Sequence, residues 1–145
     1  MTTRIQGGCH CGKVGLNLVW PGSIRMLPAR RCGCGFCRRV DGTWTSHPDA
    51  SLDLRYNRPE AVTAYRFGTG TADFLFCRAC GIPFAVTCRI DGKLLAVVNV
   101  HALRLEDQEG RALELQVRDM DFEAEQLEQR LSRRKMHWIG TVRVF

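Results

Sequence analysis

The sequence predicts a mainly β protein: short antiparallel strands in two small sheets, with one C-terminal helix. Between residues 51 and 100, short apolar runs recur, separated by Asn57-Arg58-Pro59, Gly68-Thr69-Gly70, Gly81 and Asp91-Gly92-Lys93. This is a rhythm of strands and turns. Residues 121–135 are the one stretch that reads as a full helix, with an acidic first half, a basic end and a thin apolar stripe of Phe122, Leu127 and Leu131. At 145 residues, 45% hydrophobic and 25% charged, the chain suits one globular domain over 1–145.

Taken in order, Gly7-Gly8-Cys9-His10-Cys11-Gly12 reads as a glycine-bracketed loop. It opens into a half-buried strand over 13–20, where Val14, Leu16, Leu18 and Trp20 alternate with smaller or more polar residues. Pro21-Gly22 is a turn. Residues 24–31 form a short strand, and 37–40 a single helical turn. Asp41-Gly42 leads into a strand over 43–47 that Pro48 ends. Strands follow at 51–55, 62–67, 72–77, 83–88 and 94–100, with Asp91-Gly92 as a hairpin signal. Residues 106–110 are an acidic loop, 113–117 a further strand, 121–135 the helix and 138–145 a closing strand.

The N-terminal segment lacks the apolar core of a secretory signal, and no run approaches the ~18 apolar residues of a membrane span. A cytoplasmic protein with no membrane partner is expected. Eight cysteines in such a chain argue for metal ligation over disulfides. They fall in tight groups: Cys9/Cys11, Cys32/Cys34/Cys37 and Cys77/Cys80. Thiolates suit zinc, with iron–sulfur the competitor.

Cys9 and Cys11, two apart in extended backbone, point to one side, with His10 facing away. Cys77-Arg78-Ala79-Cys80-Gly81 is a zinc-knuckle pattern. Together the two pairs make a closed set of four, the layout of a structural zinc. Pairing Cys9/Cys11 with Cys32/Cys34 instead would strand Cys77/Cys80. Cys32, Cys34 and Cys37 are one ligand short of a tetrahedron, and an open position can take water, a carbonyl oxygen or an incoming thiolate. Cys88, ending an apolar run, is a buried free thiol or that fourth ligand. His101 is a strand-end residue or a neighbour of the open site.

The formal charge is +6, but seven thiolates around two dications would remove three of those charges. The basic residues are scattered apart from Arg30-Arg31, Arg38-Arg39 and Arg133-Arg134-Lys135. They lack the single face with interleaved aromatics that nucleic acid requires, so no nucleic-acid partner is expected. Arg38 and Arg39, directly behind the three-thiol motif, are candidates to meet an acidic small molecule.

The series Gly8-Cys9-His10-Cys11-Gly12, Cys32-Gly33-Cys34-Gly35-Phe36-Cys37-Arg38-Arg39 and Phe76-Cys77-Arg78-Ala79-Cys80-Gly81 resembles the glutathione-dependent formaldehyde-activating enzyme family, which includes centromere protein V-like relatives. The resemblance covers about 5–105, leaving 106–145 as a C-terminal extension. It implies a β-tent-like zinc fold with Cys9, Cys11, Cys77 and Cys80 on a structural ion. It also implies a second, labile zinc on Cys32, Cys34 and Cys37, where glutathione chemistry occurs. The chain departs from the pattern at Phe74, where a basic residue is common, and at His101, where a small one is. It also lacks added segments that help the named enzyme hold glutathione.

Two function classes follow. One is a carbon–sulfur lyase-type enzyme acting on a thiol–aldehyde adduct such as S-hydroxymethylglutathione, with glutathione and an aldehyde as its small-molecule partners. The other is a non-catalytic zinc module that senses thiols or aldehydes or binds protein. The oligomeric state is not encoded in any motif.

Overall fold

Alternation of buried and exposed side chains begins earlier than the loop expected at Gly7 and Gly8. In the computed structural model, which describes residues 1–145, Thr3 and Ile5 are buried while Thr2, Arg4 and Gln6 are exposed. The chain therefore opens on a strand, β1 (Thr2–Gly8). It pairs with β2 (Val14–Pro21), whose Val14, Leu16, Leu18 and Trp20 face inward as their spacing predicts. Gly7 has no side chain because none fits: a Cβ there would sit 2.1 Å from the Ala102 carbonyl oxygen.

The remaining strands are β3 (Met26–Cys32), β4 (Thr43–Thr45), β5 (Ser51–Tyr56), β6 (Val62–Tyr65) and β7 (Asp73–Cys77). They are followed by β8 (Pro83–Ile90), β9 (Lys93–Asn99), β10 (Glu114–Met120) and β11 (Thr141–Val144). One sheet has four strands in the order β1-β2-β5-β11; the other has seven, in the order β10-β3-β4-β9-β8-β7-β6. The mainly β, two-sheet expectation holds. The β8–β9 hairpin turns at Asp91 and Gly92, both at positive φ (52° and 77°), as a type I′ turn demands. Two pairings run parallel, β10 on β3 and β11 on β5. Both strands lie late in the chain and return to their sheets from a distance rather than by hairpin.

β8 and β9 are buried on both faces. Ala85, Ala96 and Val98 join the larger core, which lies against Ile5, Leu18, Leu52 and Leu54 of the four-stranded sheet. Val86, Cys88, Leu95 and Val97 point the other way, into a second cluster with Cys37, Trp44 and Trp138. The period-two geometry of a strand thus serves two cores at once.

Helix α1 (Gly35–Val40) follows β3, and α2 (Leu127–His137) covers the second cluster. The latter starts later than residue 121. Asp121 accepts from the Glu123 amide in a local turn, and Gln126 with Gln129 forms the capping box. Leu131 packs on the second cluster, whereas Leu127 is exposed. The expected stripe is therefore completed by Arg134 and Trp138. No helix is long and apolar enough to cross a membrane.

Candidate metal centre and thiol cavity

The turn between β1 and β2 carries Cys9 and Cys11; the end of β7 and the turn after it carry Cys77 and Cys80. The two turns meet. All four sulfurs lie within 4.8 Å of one another, with Cys9–Cys11 and Cys11–Cys77 each at 3.6 Å. A tetrahedron with metal–sulfur bonds of ~2.3 Å has edges of about 3.8 Å, so this donor set fits zinc. Backbone amides point at the sulfurs, as with Val14 N–H on Cys9 at 3.3 Å. Gly81, at φ 79°, permits the tight turn and donates to the Cys77 carbonyl at 2.8 Å.

These donors set the thiol chemistry. Burial opposes the Cys80 thiolate, but the Ile82 and Cys11 amides and the Cys77 and Cys11 thiols outweigh it and bring Cys80 down to about 6. Cys77 is drawn down in the same way: burial opposes, and the Cys80 and Ala79 amides prevail. At Cys11 the Lys13 amide favours the thiolate. Desolvation and the neighbouring thiols overcome it and push Cys11 up to about 11. One shared set of protons, divided unequally among four sulfurs, is what a dication would displace.

The second cluster forms where β3 hands over to α1. Cys32 ends the strand, Cys34 is the helix N-cap and accepts from the Cys37 amide at 3.3 Å, and Cys37 is 2% exposed inside the first turn. The three sulfurs lie within 4.8 Å of one another. The Cys37 thiol donates to Cys32, which is held down to about 6 against its burial, with help from Cys34 and the Arg133 charge. Cys37 is pushed far up by that hydrogen bond, by burial and by the negative charge of Cys32. The neighbouring Trp44 side chain acts the other way and favours the Cys37 thiolate. β10 fixes the motif from outside, where the Gly33 amide donates to the Met120 carbonyl at 2.9 Å.

The three thiols open onto a cavity of about 130 Å³. Its floor is Trp44, Ala72, Phe74, Val86, Val97 and Trp138, and one wall carries Arg30, Arg130, Arg133 and Arg134. Glu125 holds this wall, receiving two hydrogen bonds from Arg133 at 2.9 and 3.0 Å, while Arg133 also stacks 3.7 Å over the Phe122 ring.

A family model described as glutathione-dependent formaldehyde-activating enzyme matches residues 4–118. The chain belongs to that family. Among solved structures, it is similar to a crystal structure of a Rhodobacter sphaeroides protein, at 31% identity and a TM-score of 0.53. The match covers 77% of this chain and 99% of that one. Membership supports a glutathione- and formaldehyde-related function, and both cysteine clusters could hold metal ions. Within the family frame, α2 and Trp138 lie beyond residue 118 and are additions to the matched segment.

The structure brings together every cysteine of both expected sets. Cys88 is not among them: it is buried, and its sulfur accepts from Arg134 at 3.4 Å. His10 is exposed, and His101 pairs with Asp41 at 3.2 Å, outside the cavity lining. Arg38 and Arg39 are exposed on α1 and do not line the cavity; Arg39 donates to the Gly35 carbonyl at 2.7 Å. Of the arginines that do line it, Arg30, Arg133 and Arg134 stand out in the sequence only as basic clusters, and Arg130 does not stand out at all. Arg30 was findable, because it stands two residues before Cys32 and so shares its strand face.

Proposed function

We propose that this chain is a zinc-dependent carbon–sulfur lyase-type enzyme that forms or cleaves a thiol–aldehyde adduct such as S-hydroxymethylglutathione. One observation carries the reading: three sulfurs within 4.8 Å, with no fourth protein ligand, face a cavity. Cys9, Cys11, Cys77 and Cys80 hold the structural zinc; Cys32, Cys34 and Cys37 hold the second, exchangeable one. When bound there, zinc would act as a Lewis acid and favour the thiolate form of an incoming thiol.

The chain's residues do the rest. The Cys34 cap fixes the sulfurs in the cavity lining, where they would hold the ion beside an incoming thiol. The apolar floor excludes water from the carbonyl carbon. The arginine wall supplies positive potential where negative charge passes from sulfur to oxygen. In the forming direction the sulfur attacks the carbonyl carbon, the C=O pair moves to oxygen, and that oxygen takes the proton the thiol gave up. Arg38, whose side chain makes no hydrogen bond within the chain, is assigned to a glutathione carboxylate at the protein surface, with Arg39 beside it.

The test is S-hydroxymethylglutathione formation from formaldehyde and glutathione, with zinc-replete protein, Cys34→Ser protein and no protein compared. Acceleration by the wild type alone supports the enzyme. Equal rates in all three refute it and leave a binding module. Zinc analysis accompanies it: two ions per chain are expected, and one in Cys34→Ser.

A further inference from the structure

A hydroxymethyl group derived from formaldehyde contains a single carbon, yet the space beside the three thiols measures about 130 Å³. Its floor is apolar, and Trp44, Ala72, Val86, Val97 and Trp138 are all buried. A wholly apolar cavity of about 150 Å³ holds a benzene ring, and the floor here offers one apolar side for such a group. Walls left without a guest forfeit packing contacts. The glutathione tripeptide is too large to fit whole in this space, so part of it extends past the arginine wall.

In an adduct S–CH(OH)–R, the substituent R is one carbon from the sulfur. With that sulfur beside Cys32, Cys34 and Cys37, which line the cavity, R is the group the floor would receive. Part of the enclosure lies outside the segment that the family model matches. Trp138 on the floor, and Phe122, Arg130, Arg133 and Arg134 around it, all follow residue 118, where the family match ends.

We propose that the chain prefers adducts of apolar aldehydes, aromatic or branched aliphatic, over the adduct of formaldehyde. Their substituent seats on Trp44, Ala72, Val97 and Trp138. The inference rests on the thiol–aldehyde reading above and specifies its carbonyl partner. The reaction balances as it does for formaldehyde: one S–C bond forms, the carbonyl π pair moves to oxygen, one proton transfers from thiol to that oxygen, and nothing is oxidised. Selectivity comes from burying R.

The probes are two stable thioethers, S-benzylglutathione and S-methylglutathione, titrated into the zinc-replete full chain by calorimetry and by fluorescence of Trp44 and Trp138. The benzyl compound is expected to bind about tenfold tighter or more, from the apolar area it buries, and to change the fluorescence. In Ala72→Leu, which narrows the floor, the ratio of the two affinities should fall toward one. A circular dichroism spectrum and zinc content matching the wild type show that the variant is folded. Equal affinities in the wild type overturn the proposal, even where S-hydroxymethylglutathione formation is accelerated. Should neither thioether bind and that assay also be negative, glutathione is the wrong thiol. Benzyl against methyl mercaptan then decides the cavity, with equal affinities overturning the preference and a benzyl advantage supporting it.

Discussion

Arg134 Nη1 donates to the Cys88 sulfur across 3.4 Å and to Thr71 Oγ1 at 2.8 Å, with its guanidinium 5.0 Å from the Trp138 ring. Arg134 is 6% exposed and Cys88 3%. An arginine buried this far needs acceptors, and the eighth cysteine is one of them. Cys88 is thereby a contact between α2 and β8, and it stands apart from the three-sulfur group.

Cys88→Ala should therefore keep two zinc ions per chain, measured by metal analysis, while losing about 1–2 kcal/mol of stability from the lost acceptor and the small void. A drop to one ion would show that Cys88 ligates after all.

The four-thiol centre joins the β1–β2 turn to the β7–β8 turn, and Cys77 within it is fully buried. Cys77→Ala should cost more than about 4 kcal/mol and lower the melting temperature by about 10 °C or more. Chelator added to the wild type should reproduce the shift in calorimetry. Cys34→Ser, at the three-thiol cluster, should move the melting temperature by much less.

Gly7 meets the Ala102 carbonyl where any side chain would collide. Gly7→Ala should destabilise by about 1–3 kcal/mol, since the backbone of β1 must shift away from the 3₁₀ turn at Val100–Ala102. Urea denaturation would show this as a lower midpoint at unchanged slope.

Arg133, with Arg130 and Arg134 nearby, holds the Glu125 carboxyl below its ordinary value against the effect of burial. A depressed folded pKa contributes stability that is full above the unfolded value of about 4.3 and is lost as pH falls through the folded one. The wild type should accordingly exceed Glu125→Gln by about 1–3 kcal/mol at pH 7. The gap should stay level down to about pH 5 and shrink below about 4.3. A gap independent of pH from 7 to 3 would contradict this account.

The cysteine groups, the β8–β9 hairpin and the strand rhythm are local signals, and each appears where its residues place it. What could not be seen was tertiary. β1 was hidden because Gly7 and Gly8 read as loop, although Thr3 and Ile5 alternate correctly with Thr2, Arg4 and Gln6. Nothing local to residues 114–120 or 141–144 announces a parallel neighbour, because pairing partners are chosen by the rest of the fold. Arg38 and Arg39 follow Cys37 directly, yet α1 turns them to the surface while Cys37 points inward. Arg130, Arg133 and Arg134 reach the thiols only because α2 folds back over them.

The parallel attachments of β10 and β11 also bear on the order of assembly. β10 needs β3 of one sheet, β11 needs β5 of the other, and α2 lies between them in the chain. During synthesis, every cysteine of both clusters has emerged well before Arg133 or Trp138. The thiols therefore pass through a period when they are fully made but unroofed, and metal can reach them before the cavity exists. Long-range parallel pairing is slow to form, and the stretch of chain between β10 and β11 is the one that brings Arg133 and Arg134 to the cavity.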